Sequence, residues 1–421
     1  MNEHSASVNG ISIYSLTNPN LRSFCLSLYV RAGSIFEDSS NNGISHLFEH
    51  VVFRNIKNKY ENFYELLAMH GLCFQGSTYK KFVSFTIDGP QHEFDFAIEI
   101  LCGLFDEIKL TSHDFNNEKG RIKAEIREKD RRSSLDFYFD SIVWKNSEVE
   151  KIVLGYCKTV DRVSVKKINE FRQKVLSAGN CFVYATGNIS DENLDALNKK
   201  ISELDISQSN PGFTNTVTVN DEFFHREKKI WIKNNYWHYI QIGFDVDCSK
   251  YPGGVYDLLY ALLFNGDKAL VYNYLSEDNP IIYSYDSTFE QYDNVGNINF
   301  SFEVDRNKIE DVFKTVVELL NAAKDGRFNF EANLNYEMFN WELDLDNPDN
   351  LNWNMAYYNH ILKTQPIDYS DEFYVRFRVT KEQIIDAAKY IFRRCNMTVA
   401  VKGDRKKINA EAIEKILESL D

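Results

Sequence analysis

Positive charge is in short supply in this sequence: 48 Lys and Arg stand against 62 Asp and Glu among 421 residues, giving a net charge of −14 and a pI near 5.2. A generic cationic nucleic-acid binder is thereby excluded. Proline is scarce at 7 residues, while 43% of the chain is hydrophobic and 14% aromatic, a composition that argues against disorder and provides for buried cores in two or more domains. Long apolar runs are missing. No stretch reaches the roughly 18 consecutive apolar residues of a membrane span, and the N-terminus MNEHSASVNG has no basic start followed by an apolar core. A soluble protein of the cytoplasm is expected. The cysteines (Cys25, Cys73, Cys102, Cys157, Cys181, Cys248 and Cys395) are odd in number and lack the short paired spacing of a zinc ribbon or redox dithiol. Free thiols, most of them packed in apolar runs, are expected in a reducing compartment.

What is present is a repeated order of elements. The first half reads as strands near 11–18 and 23–32, helices at 43–57 and 60–70, and a strand pair through LCFQGSTYKKFVSFTID. Helices follow near 91–108 and 111–131, and two more at 165–176 and 190–204 flank the strand NCFVYATG. The second half repeats this with strands IWIKNN and HYIQIGFDVD, a helix over 254–276, strands YSYDSTFEQ and NINFSFEVD, helices at 306–324, 329–345 and 380–393, and the closing strand NMTVAVKG. Self-similarity without a short period predicts two copies of one α+β unit, each a mostly antiparallel sheet covered by helices as an α/β sandwich. The expected boundaries are 1–207, a polar linker over 208–223, and 224–421.

The chemistry concentrates in NNGISHLFEHVVFRN. Ile44, Leu47, Phe48, Val51 and Val52 recur at helical spacing as a core-facing stripe. At about 100° per residue, His46, Glu49 and His50 fall together on the other side, where two imidazoles can converge on one ion. Neutral imidazole suits zinc, and the carboxylate between them in sequence can take a proton from water. Two histidines leave a catalytic zinc one protein ligand short. A candidate lies in NNEKGRIKAEIREKDRR, where Glu118 and Glu125 are seven apart and nearly superimposed along one helix face. One of them can bind metal while the other supports it.

With these residues the chain resembles the inverted zincins, the family of pitrilysin, insulysin and the mitochondrial processing peptidase. The resemblance rests on RAGSIFED, on NNGISHLFEH, and on the glutamate pair of EKGRIKAE with 74 residues between His50 and Glu125; LGYCKTVDRVSVKKINEF and CFVYATGNIS support it. It implies His46, His50 and Glu125 as ligands of one zinc per chain, Glu49 as general base and Glu118 as an outer-sphere helper. It further implies that substrate adds as a strand to the sheet edge formed by Cys73, Phe74, Gln75, Gly76, Ser77 and Thr78.

The family carries an Arg and a Tyr seven residues apart in its second half, over the substrate. Here LSEDNPIIY keeps Tyr283 as a candidate catalytic residue, with a core-packed strand aromatic as the alternative, but has Ser276 where the Arg would stand. Family members enclose their site between two facing pairs of halves, so a chain of this length looks like one half-shell. A heterodimer with a homologous subunit supplying the Arg is the implied partner, with a homodimer as the alternative. The second half has no HxxEH, and Leu262 falls where His46 would be. The implied function is a zinc endopeptidase acting on short or unfolded peptides, as in leader removal or peptide clearance. The competing expectation is a non-catalytic scaffold or peptide-binding subunit of the same architecture.

Overall fold

A computed structural model describes residues 3–129, 135–213, 217–364, 366–369 and 376–421. In the first half, strands β1 (His4–Val8), β2 (Ile11–Thr17) and β3 (Ser23–Val30) lead into helices α1 (Ile44–Lys59) and α2 (Phe63–Met69) and the hairpin β4 (Cys73–Thr78) and β5 (Val83–Pro90). Helices α3 (Phe94–Gly103), α4 (Ser112–Glu128), α5 (Leu135–Val143), α6 (Cys157–Asp161) and α7 (Val165–Val175) precede β6 (Cys181–Gly187) and α8 (Asp191–Ser202). The second half runs β7 (Ile230–Asn234), β8 (Tyr239–Asp247), α9 (Gly253–Phe264), α10 (Leu270–Tyr272), β9 (Asp286–Tyr292) and β10 (Val295–Glu303). It continues through α11 (Ile309–Lys324), α12 (Phe330–Asp344), α13 (Pro348–Met355), α14 (Lys381–Ile391), β11 (Met397–Gly403) and α15 (Ala410–Leu417).

The two sheets share one strand order, β2-β6-β3-β5-β4 and β7-β11-β8-β10-β9, with β1 added outside β2 in the first. In each half the first and last of these strands pair in parallel and every other pairing is antiparallel. The correspondence extends to register. β3 and β8, β6 and β11, and α7 and α14 each begin 216 residues apart. The fold is thus α+β, with two like units.

Alternation within the strands builds two different faces. Phe24, Leu26, Leu28 and Val30 of β3 join the core beneath α1 and α3, whereas Cys25, Ser27 and Tyr29 face the other way. That second face is covered by the opposite half. α13 packs on β3 and β6, and its fully buried Asn352 donates to the carbonyls of Cys25 and Tyr184 while accepting from the Tyr29 hydroxyl at 2.9 Å. Reciprocally, α5 lies on β8 and β11, with Phe139 against Gly243, which leaves room for the ring by having no side chain.

Several expectations change. The helix expected over 254–276 breaks after Phe264 at the turn Asn265–Gly266 and resumes as α10 and a π-helical turn Asn273–Glu277. The strand expected at YSYDSTFEQ starts only at Asp286. The helix expected over 111–131 is α4, and its last two positions lie outside the described residues. β1, α5, α6 and α13 escaped sequence reading; β1 is almost wholly exposed, α6 has five residues, and α5 and α13 pack on the opposite half, a partner that sequence cannot show. The expected linker has no regular structure over 208–213 and 217–219, with 214–216 outside the described residues, yet Phe213 stacks on Phe36 and Val217 and Val219 pack beside Trp144. All seven cysteines are free, but only Cys25, Cys181 and Cys248 are buried, and Cys73 is exposed.

At the α13 contact, Cys25, Asp88 and Asp349 bring their ligating atoms within 4.8 Å of one another. Burial, and then the Asp349 charge, push the Asp88 carboxyl up to about 6, against a smaller opposing effect from Cys25. A carboxyl raised in the folded state stabilises fully below its unfolded pKa and loses that contribution as pH rises through its folded value. Asp88→Asn is therefore expected to gain on wild type by up to ~3 kcal/mol between pH 4 and 7. Urea denaturation across that range checks this; parallel pH profiles for the two proteins would refute it.

Candidate metal centre

The N-terminus of α1 is built by Gly43 at φ 94°, a left-handed conformation that favours glycine. No cap side chain serves the helix there. Instead the buried Glu37 carboxylate accepts from the backbone N–H groups of Gly43 at 2.7 Å and Ser45 at 2.9 Å, and from the Asn42 amide at 2.8 Å. The core stripe foreseen for this helix is buried, with Leu47, Phe48 and Val51 at 0% exposure. Its polar side does not face solvent. It packs against α4 and β4.

The α1–α4 contact is a ladder of opposite partners. His46 Nε2 stands 3.6 Å from Glu125 Oε2, His50 Nδ1 stands 3.6 Å from Glu118 Oε2, and Arg54 Nη2 reaches Asp114 Oδ1 at 2.5 Å. Numbering rises along α1 as it falls along α4, so the helices run antiparallel and steps of four and seven residues meet across the interface. Glu118 is 2% exposed and also takes Arg121 at 3.3 Å. Ligand atoms of His46, His50 and Glu125 all lie within 4.8 Å of one another.

Two observations test whether this donor set suits a metal ion. His46 Nδ1 is buried without a hydrogen-bond partner, and burial, then His50 and Lys129, depress the imidazole to about 3. His46 is therefore neutral at physiological pH with lone pairs to offer, which suits a borderline-soft cation. At His50 burial opposes protonation, but Glu118, Glu49 and Glu125 outweigh it and raise the imidazole above its usual value. Two imidazoles and a carboxylate fit zinc.

Glu49 lies between this cluster and the sheet edge. Its Oε2 is 4.0 Å from His46 Nε2 and accepts the Thr78 hydroxyl at 3.0 Å. Burial is the main cause that raises its carboxyl above the ordinary value, opposed by His50 and Thr78. A side chain at Gly76 would stand 2.8 Å from Glu49 Oε1, so only glycine lets β4 approach this closely. β4, carrying Cys73 to Thr78, is the outermost strand of its sheet.

His46, Glu49, His50, Glu118 and Glu125 thus come together with Gly76 and Thr78. Tyr283 does not join them. It sits in a bend before β9, 98% exposed, which overturns the core-packed alternative, and it lines an open cleft of about 1010 Å³ with Tyr236, Trp237 and His238. Ser276 lies in the π-helical turn. In the second half Leu262 and Trp341 are buried, and no His/Glu cluster like that of His46, His50 and Glu125 occurs there among the described residues. Sequence reasoning missed Arg54, Asp114 and Glu37. One further four-residue step along α1 from His50, and one back along α4 from Glu118, would have reached the first two.

Two like units, with a His/Glu cluster of this kind only in the first among the described residues, define a two-domain architecture with one candidate site. The insulinase (peptidase family M16) model matches residues 13–155 and the peptidase M16 inactive-domain model matches 162–332. The chain belongs to the peptidase M16 family. It is 21% identical over 324 residues to the uncharacterized zinc protease YmxG of Bacillus subtilis, covering 75% of this chain and 77% of that protein. It is 23% identical over 190 residues to the mitochondrial-processing peptidase subunit beta of Saccharomyces cerevisiae, a match spanning 44% of this chain and 41% of that one. Among solved structures, a protease from Helicobacter pylori superposes with a TM-score of 0.82 at 18% identity, covering 96% and 99% of the two chains. The first half of the periplasmic protease PqqL from Escherichia coli gives 0.76 at 14% identity, covering 99% and 96%. No helix among the described residues is long and apolar enough to cross a membrane.

Because Arg54 ties α1 to α4, Arg54→Met is expected to lower the urea midpoint by leaving Asp114 without its cation and removing the 4.0 Å contact to Glu118. Lys166→Met, in the exposed pair with Glu170, should leave the midpoint unchanged. Equal midpoints for Arg54→Met and wild type would remove Arg54 from its positioning role.

Proposed function

We propose that the chain is a zinc-dependent endopeptidase subunit that cleaves short or unfolded peptides held as an added strand on β4. The observation that carries this reading is the meeting of His46, His50 and Glu125 within 4.8 Å, with Glu49 beside them and hydrogen-bonded to the free sheet edge through Thr78. His46, His50 and Glu125 would hold the ion, and Glu118 would orient the His50 ring. Bound zinc supplies Lewis acidity toward the scissile carbonyl and the attacking water. Glu49 accepts the water proton and returns it to the leaving amine, a role suited to a carboxyl whose affinity for a proton burial has raised. Thr78 keeps Glu49 aimed at the edge, where main-chain pairing fixes the peptide with little regard to side chain.

A partner subunit completes the site. Ser276 offers no cation where the family has an arginine, and the fit to the first half of PqqL supports treating this chain as one half of a two-part shell. A heterodimer with a homologous chain bearing the Arg and Tyr accounts for both facts. Peptide maturation such as leader removal is the use this arrangement suits. The same Ser276 favours, as second reading, a subunit that binds peptide without cutting it.

Glu49→Gln is expected to retain zinc and lose at least ~100-fold in peptide cleavage; near-wild-type turnover would sink the assignment, and zinc without cleavage in wild type, with and without the co-purifying partner, would favour the binding role. Metal analysis separates the two glutamates. Glu125→Ala should lower zinc content, whereas Glu118→Ala should keep most of the metal and reduce activity; the reverse pattern exchanges their roles.

A further inference from the structure

On the face of the first sheet turned away from α1, the two halves enclose a small cavity of about 110 Å³. Its aromatic walls include Tyr14, Tyr29 and Phe182, and its polar lining includes Arg31 and Lys81 from the first half, His360 and Lys363 from the second, and Ser12 and Asn180. Two of these have acidic partners. Lys81 Nζ meets Asp293 Oδ1 at 2.8 Å and His360 Nε2 meets Glu3 Oε1 at 3.1 Å. Arg31 and Lys363 have no side-chain hydrogen bond or ion pair among the described residues. A half-buried guanidinium without an anion carries a desolvation cost that nothing around it offsets at contact distance. Burial lowers the Arg31 pKa against the more distant pull of Asp293. Lys363 holds a left-handed backbone at φ 63°, a conformation that lysine seldom adopts. The concave site thus presents two cationic side chains, Arg31 and Lys363, without an anionic contact among the described residues.

We propose that this cavity binds a small oxyanion of phosphate size, held by Arg31 and Lys363 with Lys81 alongside. The volume admits a tetrahedral ion of a few heavy atoms and is far below the roughly 300–1,000 Å³ that larger organic ligands occupy. Its ligands come from both halves, and Lys81 lies in the turn joining β4 to β5. Occupancy therefore braces the halves against each other and steadies the hairpin that carries the free edge.

The test is thermal unfolding and calorimetric titration of the full chain with inorganic phosphate, at constant ionic strength set with chloride. Phosphate should raise the melting temperature saturably, sulfate should do so as another tetrahedral oxyanion, and chloride should not. Arg31→Met and Lys363→Met should each weaken or abolish the response; Lys363 is exposed, so its variant folds even if the Arg31 variant does not. No phosphate response, a chloride response of equal size, or a full response in Lys363→Met together with any folded Arg31→Met would overturn the proposal.

Discussion

The antiparallel pairing of α1 with α4 is the constraint on which the rest of the site depends. Three rungs, His46 with Glu125, His50 with Glu118 and Arg54 with Asp114, place imidazoles and a guanidinium opposite carboxylates along one helix interface. Groups withdrawn from water are stabilised by opposite partners, and the two rows face each other in this way, although His46 Nδ1, Arg54 Nε and Glu118 Oε1 remain without a hydrogen bond. The rung at Arg54 is the closest and closes the ladder below the two histidine rungs. Glu37 fixes the other end of α1 by taking the N–H groups of its first turn. Held at both ends, α1 has little freedom to rotate, and the three ligand atoms converge.

The second organising feature is the exchange of α5 and α13 between halves. Each covers the face of the other half's sheet that its own helices leave open, and those faces mix polar groups with buried residues such as Tyr29 and Tyr184. Asn352 serves two carbonyls and a tyrosine hydroxyl at 0% exposure. Lys80 and Lys81, in the turn between β4 and β5, reach Asp140 of α5 and Asp293 of the second half. The strand that offers its edge beside Glu49 is thereby anchored from both halves. Neither half presents a finished surface without the other.

Duplication leaves the two halves with different helix-pair interiors. In the second half α9 packs on α12, with Leu262 and Trp341 buried. In the turn after α9, Lys268 donates to Asn333 at 2.6 Å and Asn265 to Glu337 at 3.1 Å. In the first half the α1–α4 contact gathers the candidate ligands His46, His50 and Glu125 instead. One fold thus supports two interior chemistries, decided by a few side chains.

Most of the site was legible because its signal is local. His46, Glu49 and His50 share one helix face by spacing alone and the glutamates of α4 share another, but matching the two helices rested on the family resemblance. The succession of strands and helices and the repeat of halves followed from periodicity and turn residues, whereas the order of strands within each sheet did not. Of the elements missed, α5 and α13 pack on partners far away in sequence, β1 is short and exposed, α6 has only five residues, and the break after Phe264 was hidden by a continuous apolar run.

By itself, the sequence determined the class of fold, the presence of two like units and the residue types gathered for metal chemistry, since these rest on helical and strand periods set by backbone geometry. Tertiary structure alone decided that Arg54 and Asp114 close the ladder, that Thr78 and Gly76 seat Glu49, that Tyr283 stands exposed at the other sheet, and that each half lends a helix to its twin. Those outcomes depend on which distant surfaces meet, and burial between them sets which charges are paired and which, like Arg31, are left without a partner.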